Sequence, residues 1–364
     1  MKKNLVALMC VASLAATAFV GCGSEEAADT TTTTTQQSNA EVAESTEAAQ
    51  PATVAAEGEL LTGLGTVVSI ADSKDASAEG DGTAQADATI AAVTVDSNGA
   101  IVECVIDIAQ TKIGISADGK ITSDLAAEYK SKRELGDEYG MKKASAIGKE
   151  WYEQADAFAD WAVGKTADDI KNMAISEGYA GDEDLVASVS IHVTGFQAAV
   201  LEAMENAVAG GAVAGDKLGL GVTTNIAKSV DATADADGNA EAYTTISVLT
   251  VNGDGVITSS IIDAVQAKIA FDTKGVITAD KNADVKSKNE LGDEYGMRSA
   301  SSIGKEWNEQ AAAYAEYTVG KTVEEVQNTA VEEGRAADAD LAASVSVHIT
   351  DFNAVIAKAV ASAK

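Results

Sequence analysis

The chain has 364 residues, with 57 acidic side chains against 26 basic ones and a formal net charge of −31. Acidity on this scale excludes nucleic acid and anionic lipid headgroups as electrostatic partners, and it keeps copies of the chain apart in solution. With only two histidines and three cysteines, the sequence offers no metal-ligand spacing and no disulfide framework.

The first residues read as an address. Lys2 and Lys3 precede an apolar run from Leu5 to Val20, and Gly21 is followed by Cys22. A basic start, a short apolar segment and a small residue before the cut describe a secretory signal peptide over residues 1–21, too short for a stable membrane span. The Gly-Cys junction matches a bacterial lipobox, with Phe19 where leucine is usual. It implies lipid attachment at Cys22 and a place at the extracytoplasmic face of the cell membrane. Residues 22–57 carry the Thr30–Thr35 run, Gln36, Gln37 and the chain's only proline, Pro51. That composition buries too little apolar surface to offset its ordering entropy, so a disordered tether is expected. As a coil it would reach on the order of 30–35 Å.

Beyond the tether the chain repeats itself at an offset of 156 residues. ELGDEYGM occurs at 134–141 and at 290–297, and IGKEW at 147–151 and 303–307. Asp107 and Gln110 align with Asp263 and Gln266, and SVSIHVTGF at 188–196 aligns with SVSVHITDF at 344–352. A period this long marks a duplicated domain. The expected repeats span 58–209 and 215–364, joined by the Gly/Ala stretch AVAGGAVAG, and each is expected to enclose its own interior.

Within the first repeat, Asp87–Val95 and Ile101–Ile108 read as strands around the turn signal DSNG, with a third short strand over Lys112–Ile115. The apolar stripe Trp151, Ala155, Phe158, Ala159, Ala162 and Val163 predicts an amphipathic helix stopped by Gly164. Thr166 with Asp169, and Thr322 with Glu325, fit capping boxes. Alternation over Val189, Ile191 and Val193 predicts a closing strand, and Thr194 then reads as the cap of a last helix. The fold class expected is α+β: a tandem duplication of an antiparallel, hairpin-rich sheet packed with helices, preceded by a disordered tether.

Hairpins of the type VTVDSNGAIVECVID, followed by helices and a terminal strand–turn–helix, resemble the FMN-binding domain family of membrane-tethered flavoproteins. The resemblance implies a flavin-dependent extracellular electron carrier with FMN as cofactor and redox proteins as partners, rather than a turnover enzyme. The family's Ser/Thr-Gly-Ala-Ser/Thr attachment motif is degenerate here, since Ser188–Thr194 and Ser344–Thr350 lack the Gly-Ala pair. No acceptor hydroxyl transfers, and the FMN expected is non-covalent. The alternative is a non-redox ligand-binding or structural lipoprotein that kept the fold without the flavin.

The candidate cofactor-binding residues are His192 and His348, Thr194 and Thr350, and Tyr139 and Tyr295. A histidine beside a helix start suits a phosphate or a flavin ring, or simply bonds a neighbouring backbone group. The ELGDEYGM loop either lines a pocket or serves as a rigid connector packing its Tyr and Met on the core. Gly63-Leu-Gly65 and Gly219-Leu-Gly221 read as strand entry, a lone GxG being weak evidence for phosphate binding. Asp235–Glu241 lacks EF-hand spacing and predicts no metal site. Cys104 reads as a buried, inert thiol.

Overall fold

The computed structural model describes Ala56 and residues 58–363. The signal peptide, Cys22 and nearly all of the tether lie outside the described residues.

The described chain is mixed α+β. The first repeat runs β1 (Glu59–Ser69), β2 (Gly82–Val95), β3 (Ile101–Ile115), α1 (Lys132–Leu135), α2 (Trp151–Ala162) and α3 (Ala167–Lys171). A hairpin of β4 (Ile175–Ser176) and β5 (Tyr179–Ala180) follows, then α4 (Glu183–Val186) and α5 (Thr194–Glu205). Next come β6 (Val208–Val213), then β7 (Lys217–Asn225), β8 (Gly238–Val251) and β9 (Ile257–Phe271). The second repeat closes with α6 (Lys288–Leu291), α7 (Trp307–Thr318), α8 (Val323–Gln327), β10 (Val331–Glu332), β11 (Arg335–Ala336), α9 (Ala339–Ala342) and α10 (Thr350–Ser362).

The strands form two antiparallel sheets, ordered β3-β2-β1-β6 and β7-β8-β9. Each is buried on both faces, and strand parity shows why. On β2, Ala84, Ala86, Ala88, Ile90 and Ala92 face a core drawn from both sheets, which takes Ala240, Ala242, Ile246 and Val248 from β8. The opposite parity, Ala91, Val93 and Val95, lies under α2 and α5 with Trp151, Phe158 and Phe196. Leu249 and Val251 of β8 lie likewise under α7 and α10. The result is four layers, helix–sheet–sheet–helix. Alanine dominates the inner parity of β2, and such small side chains let two sheets lie close.

The expectation that each repeat encloses its own interior therefore covers only the helix-facing cores; the central core belongs to both. Reciprocal bonds fix the pairing. The Ala76 amide donates to the Gly275 carbonyl at 2.9 Å, and that of Ala232 to Gly119 at 2.9 Å. Ile121 donates to Asp231 at 2.8 Å, and Ile277 to Asp75 at 3.0 Å. Each pair is the other shifted by the repeat offset, so the halves are related as in an isologous dimer carried on one chain.

Local expectations fare unevenly. The helix at Trp151 has the expected stripe buried except for Val163, which lies past the helix end and is exposed, and Thr166 and Thr322 close their capping boxes. The separate strand at Lys112 is instead the end of one fifteen-residue β3. The Gly/Ala joint forms β6, which pairs with β1 and completes the first sheet. No closing strand forms over Val189–Val193: the segment is tied down by the buried Gln154, whose Oε1 accepts from the Ser190 amide at 2.8 Å. A side chain has taken the place of a ladder partner, so alternation there reflects burial without pairing.

The GxG pairs lie inside β1 and β7 and mark helix contacts. A methyl group on Gly65 would overlap the Ala199 carbonyl of α5, and one on Gly221 the Val355 carbonyl of α10. Glycine is required because helix backbone rests directly on strand backbone.

Candidate functional site

The repeated word builds a corner at the outer face of each sheet. Ser131 caps α1 by accepting from the Glu134 amide, and the Glu134 carboxylate accepts from the Ser131 amide at 2.9 Å. The chain then turns through one 3-10 turn, Gly136–Tyr139, and leaves it at Gly140 in left-handed backbone, φ +74°. Beyond it, the Met141 and Lys142 amides donate to the buried Glu150 carboxylate at 2.8 and 3.0 Å. Glu306 receives Met297 and Arg298 in the same way, at 2.8 and 2.7 Å. Carboxylates accepting two amides hold such loops rigidly. ELGDEYGM is thus a connector, and it also presents a ring.

That ring is Tyr139. The Lys132 ammonium lies 5.0 Å from its centroid and 5.5 Å from that of Trp151. In the second repeat the Lys288 ammonium sits 4.5 Å from Tyr295, 4.8 Å from Trp307 and 4.6 Å from a third ring, Tyr243. It also donates to the Tyr243 hydroxyl at 2.9 Å. Lys288 is 3% exposed, whereas Lys132 is half-buried. Burial pulls the Lys288 amine down to about 8, aided by the nearby Lys228 and Lys268 and opposed by Asp263 and Glu241. Burial also drives the Tyr243 hydroxyl far above its ordinary value, with Tyr295, Asp351 and Glu241 adding to it.

The terminal helices complete the corner. Trp151 meets Phe196 of the first turn of α5 edge-on at 5.8 Å, and Trp307 meets Phe352 of α10 at 5.8 Å. Neither helix has a side-chain cap: the cap positions are Val193 and Ile349, and Thr194 and Thr350 are the first helical residues. Thr194 is therefore exposed at the start of a twelve-residue helix instead of capping it. Gly195 lies over Thr89 of β2, while Asp351 occupies the matching place in the second repeat and acts on Tyr243.

The structure thus gathers Tyr139 near the α5 terminus through Lys132, Trp151 and Phe196, and Tyr295 near that of α10. His192 makes different contacts. It is exposed, set edge-on against Tyr179 with ring centroids 4.4 Å apart and seated over Gly178, and His348 lies over Gly334. Sequence reasoning passed over Lys132 and Lys288, although both stand in the repeated Ser-Lys pair.

Beneath the corner lie Asp107 and Asp263. Each accepts from the amide two residues past the α1 or α6 cap, Arg133 and Asn289, at 3.0 Å. Burial raises both to about 6 against these hydrogen bonds. Each also lines a cleft where the repeats meet. One, of about 770 Å³, lies between α5 and β6 of the first half and β9, α6 and α7 of the second. The other, of about 880 Å³, is its counterpart across the pseudo-two-fold axis. Cys104 sits in the wall of the second, half-buried, its thiol pushed up to about 12 by burial.

Trp151 and Phe196 are buried, so the outward groups of the first corner are the half-buried Lys132 and Tyr139 and the exposed Thr194. The second corner is filled by its own Tyr243 and Asp351. Among the described residues no group of three or more His, Cys, Asp or Glu side chains is arranged to hold a metal ion. No described helix is long and apolar enough to cross a membrane.

Comparison with known proteins adds one short likeness. No family model matches the chain, and no solved structure matches it significantly. Over 42 residues it is 55% identical to a protein of Desulfitobacterium hafniense described as chlorophenol reductase. That stretch is 12% of this chain and 13% of the other protein.

Proposed function

We propose that this protein is a lipid-anchored, extracytoplasmic flavin carrier, holding one non-covalent FMN at the first repeat and passing electrons to redox proteins outside the membrane. The observation that carries the reading is the open corner of that repeat: a half-buried Lys132 over Tyr139 and Trp151, beside the uncapped start of α5. The phosphate is assigned to the Thr194–Phe196 amides and to Lys132, and the ring system to the half-buried face of Tyr139. The resemblance of the hairpins to those of FMN-binding domains supports the same reading. The second repeat, with Lys288 already bonded to Tyr243, serves as the structural half.

Reconstitution with FMN followed by gel filtration tests this. The expected result is a yellow protein with one flavin per chain. Lys132→Met should lose the flavin, and Lys288→Met should keep it. A colourless protein, or loss of flavin only in the Lys288 variant, would overturn the reading. The alternative, a non-redox ligand-binding lipoprotein, is favoured by the two clefts where the repeats meet.

A further inference from the structure

The two clefts are built from corresponding residues, yet their charges differ. In the larger, Lys358 of α10 places its ammonium 2.6 Å from Oε1 of Glu134 and 3.1 Å from the Val222 carbonyl. Arg133 adds a second cation, paired with Asp156 at 2.8 Å. In the smaller cleft the same two positions hold Glu202 and Asn289, and its lining contains no lysine or arginine. Glu202 accepts from the Thr66 amide at 3.1 Å, the strand position that corresponds to Val222.

Glu134 and Glu290 show what is missing. Each gives Oε2 to its capping box, at 2.9 Å from the Ser131 amide and 2.6 Å from the Ser287 amide. Glu134 then gives Oε1 to Lys358. Oε1 of Glu290, an exposed residue, has no hydrogen-bond or ion-pair partner among the described residues and is free to take one. Two other atoms of the same cleft, Asn308 Oδ1 and Ser260 Oγ, are shielded from solvent and unpartnered. Buried acceptors without donors are rare in folded proteins, and a bound donor resolves them.

We propose that the smaller cleft is a binding site for an organic ammonium ion with an apolar body. The ammonium takes, against Glu290 and Glu202, the place that the Lys358 ammonium takes against Glu134 in the other cleft. The apolar body rests on Leu64, Val208, Ile262, Ala315 and Val319, which line the rest of the space. A volume of about 770 Å³ is that of a small-molecule site. Burial pushes Glu202 up to about 7, and the neighbouring Glu290, Asp263 and Glu205 carboxylates add to the shift. A ligand cation would relieve that repulsion. The site shares no residue with the flavin corner, so flavin binding and amine binding can fail separately.

The test is calorimetric titration of the full chain with hexylammonium chloride at 0.15 M salt, with hexanol as the neutral control. One hexylammonium should bind per chain, at least about tenfold more tightly than hexanol. Glu202→Lys installs the ammonium of the other cleft and should weaken binding at least about tenfold. Lys358→Glu combined with Arg133→Asn should raise the stoichiometry from one to two. Equal binding of hexylammonium and hexanol by the unaltered chain would overturn the proposal. So would affinity unchanged in a folded Glu202→Lys protein.

Discussion

The two corners share a frame and differ in what fills it. In the first repeat the carboxylate facing Gln110 is Asp87, at 2.8 Å. In the second it is Glu241, facing Gln266 at 2.9 Å and two residues earlier on the strand by the repeat alignment, while Tyr243 stands where Asp87 would be. The relocation frees one strand position for a ring, and that ring closes over Lys288. The capping serine, the buried aspartate, the loop glycines and the amide-binding glutamate stay fixed. Duplication has kept the elements that hold backbone in place and has let the groups around the lysine drift, so Lys132 is half-buried and Lys288 is enclosed.

The largest expected effects come from breaking what the repeats share. Gly65→Ala and Gly221→Ala each force a methyl into helix backbone that has nowhere to move. Each should cost about 3 kcal/mol or more, read as a fall in the denaturant midpoint. Equal losses in the two repeats would show one cooperative unit around the shared core. A loss confined to part of the unfolding transition would show two.

Gln154→Ala and Gln310→Ala come next. Both glutamines are fully buried and bond the segment before the last helix, Gln310 accepting from the Ser346 amide at 2.7 Å. Removal strands a buried amide and opens a void, for a loss of about 2–3 kcal/mol. The double variant tests whether the halves add or couple.

The paired aspartates give a smaller effect that depends on pH. Asp107 and Asp263 titrate near 6 in the folded chain, above an unfolded aspartate, because burial disfavours their charge. The folded state therefore holds more protons than the unfolded state between the ordinary aspartate range and about pH 6. Stability from these groups is full below that window and is lost as the pH rises through 6. Changing both to Asn should flatten the stability profile between pH 5 and 7 by on the order of 1 kcal/mol per carboxylate. An unchanged profile would remove them from the account.

How much of this was legible depended on the range of the interaction that decided it. Helix α2 was visible because Trp151, Ala155, Phe158 and Ala162 carry a local period, and Thr166 because a capping box lies within four residues. The central core was not. Ala84, Ala86 and Ala88 read only as an alternating strand, and nothing in that pattern says that the face covering them comes from the other repeat. The strand expected at Val189 failed for the same reason, its partner being a glutamine 36 residues away. At the corner, Tyr139 was found through the repeated word, while Lys132 beside it passed as an ordinary surface lysine. Its aromatic surroundings come from elements far apart in sequence. His192 drew attention because it is rare, and rarity carries no information about what a side chain touches.

The finest distinction between the corners concerns their rings. Tyr139→Leu removes one of two rings from a half-buried ammonium that water still reaches, and a cation–π contact of that kind is worth about 0.5–1 kcal/mol. Tyr295→Leu removes one of three from an ammonium that burial already disfavours, where the contact is worth about 2 kcal/mol. The difference in stability loss should thus be about 1 kcal/mol, with the second repeat the more sensitive. Raising the pH past 8 should shrink the Tyr295→Leu loss: Lys288 then loses its proton in the folded chain, the cation–π attraction goes with the charge, and only the packing of the ring remains. If Tyr139→Leu proves the costlier change, or if neither loss responds to pH, the rings are holding the corner by packing alone, and the division into an open and a closed site has to be drawn from the helix starts instead.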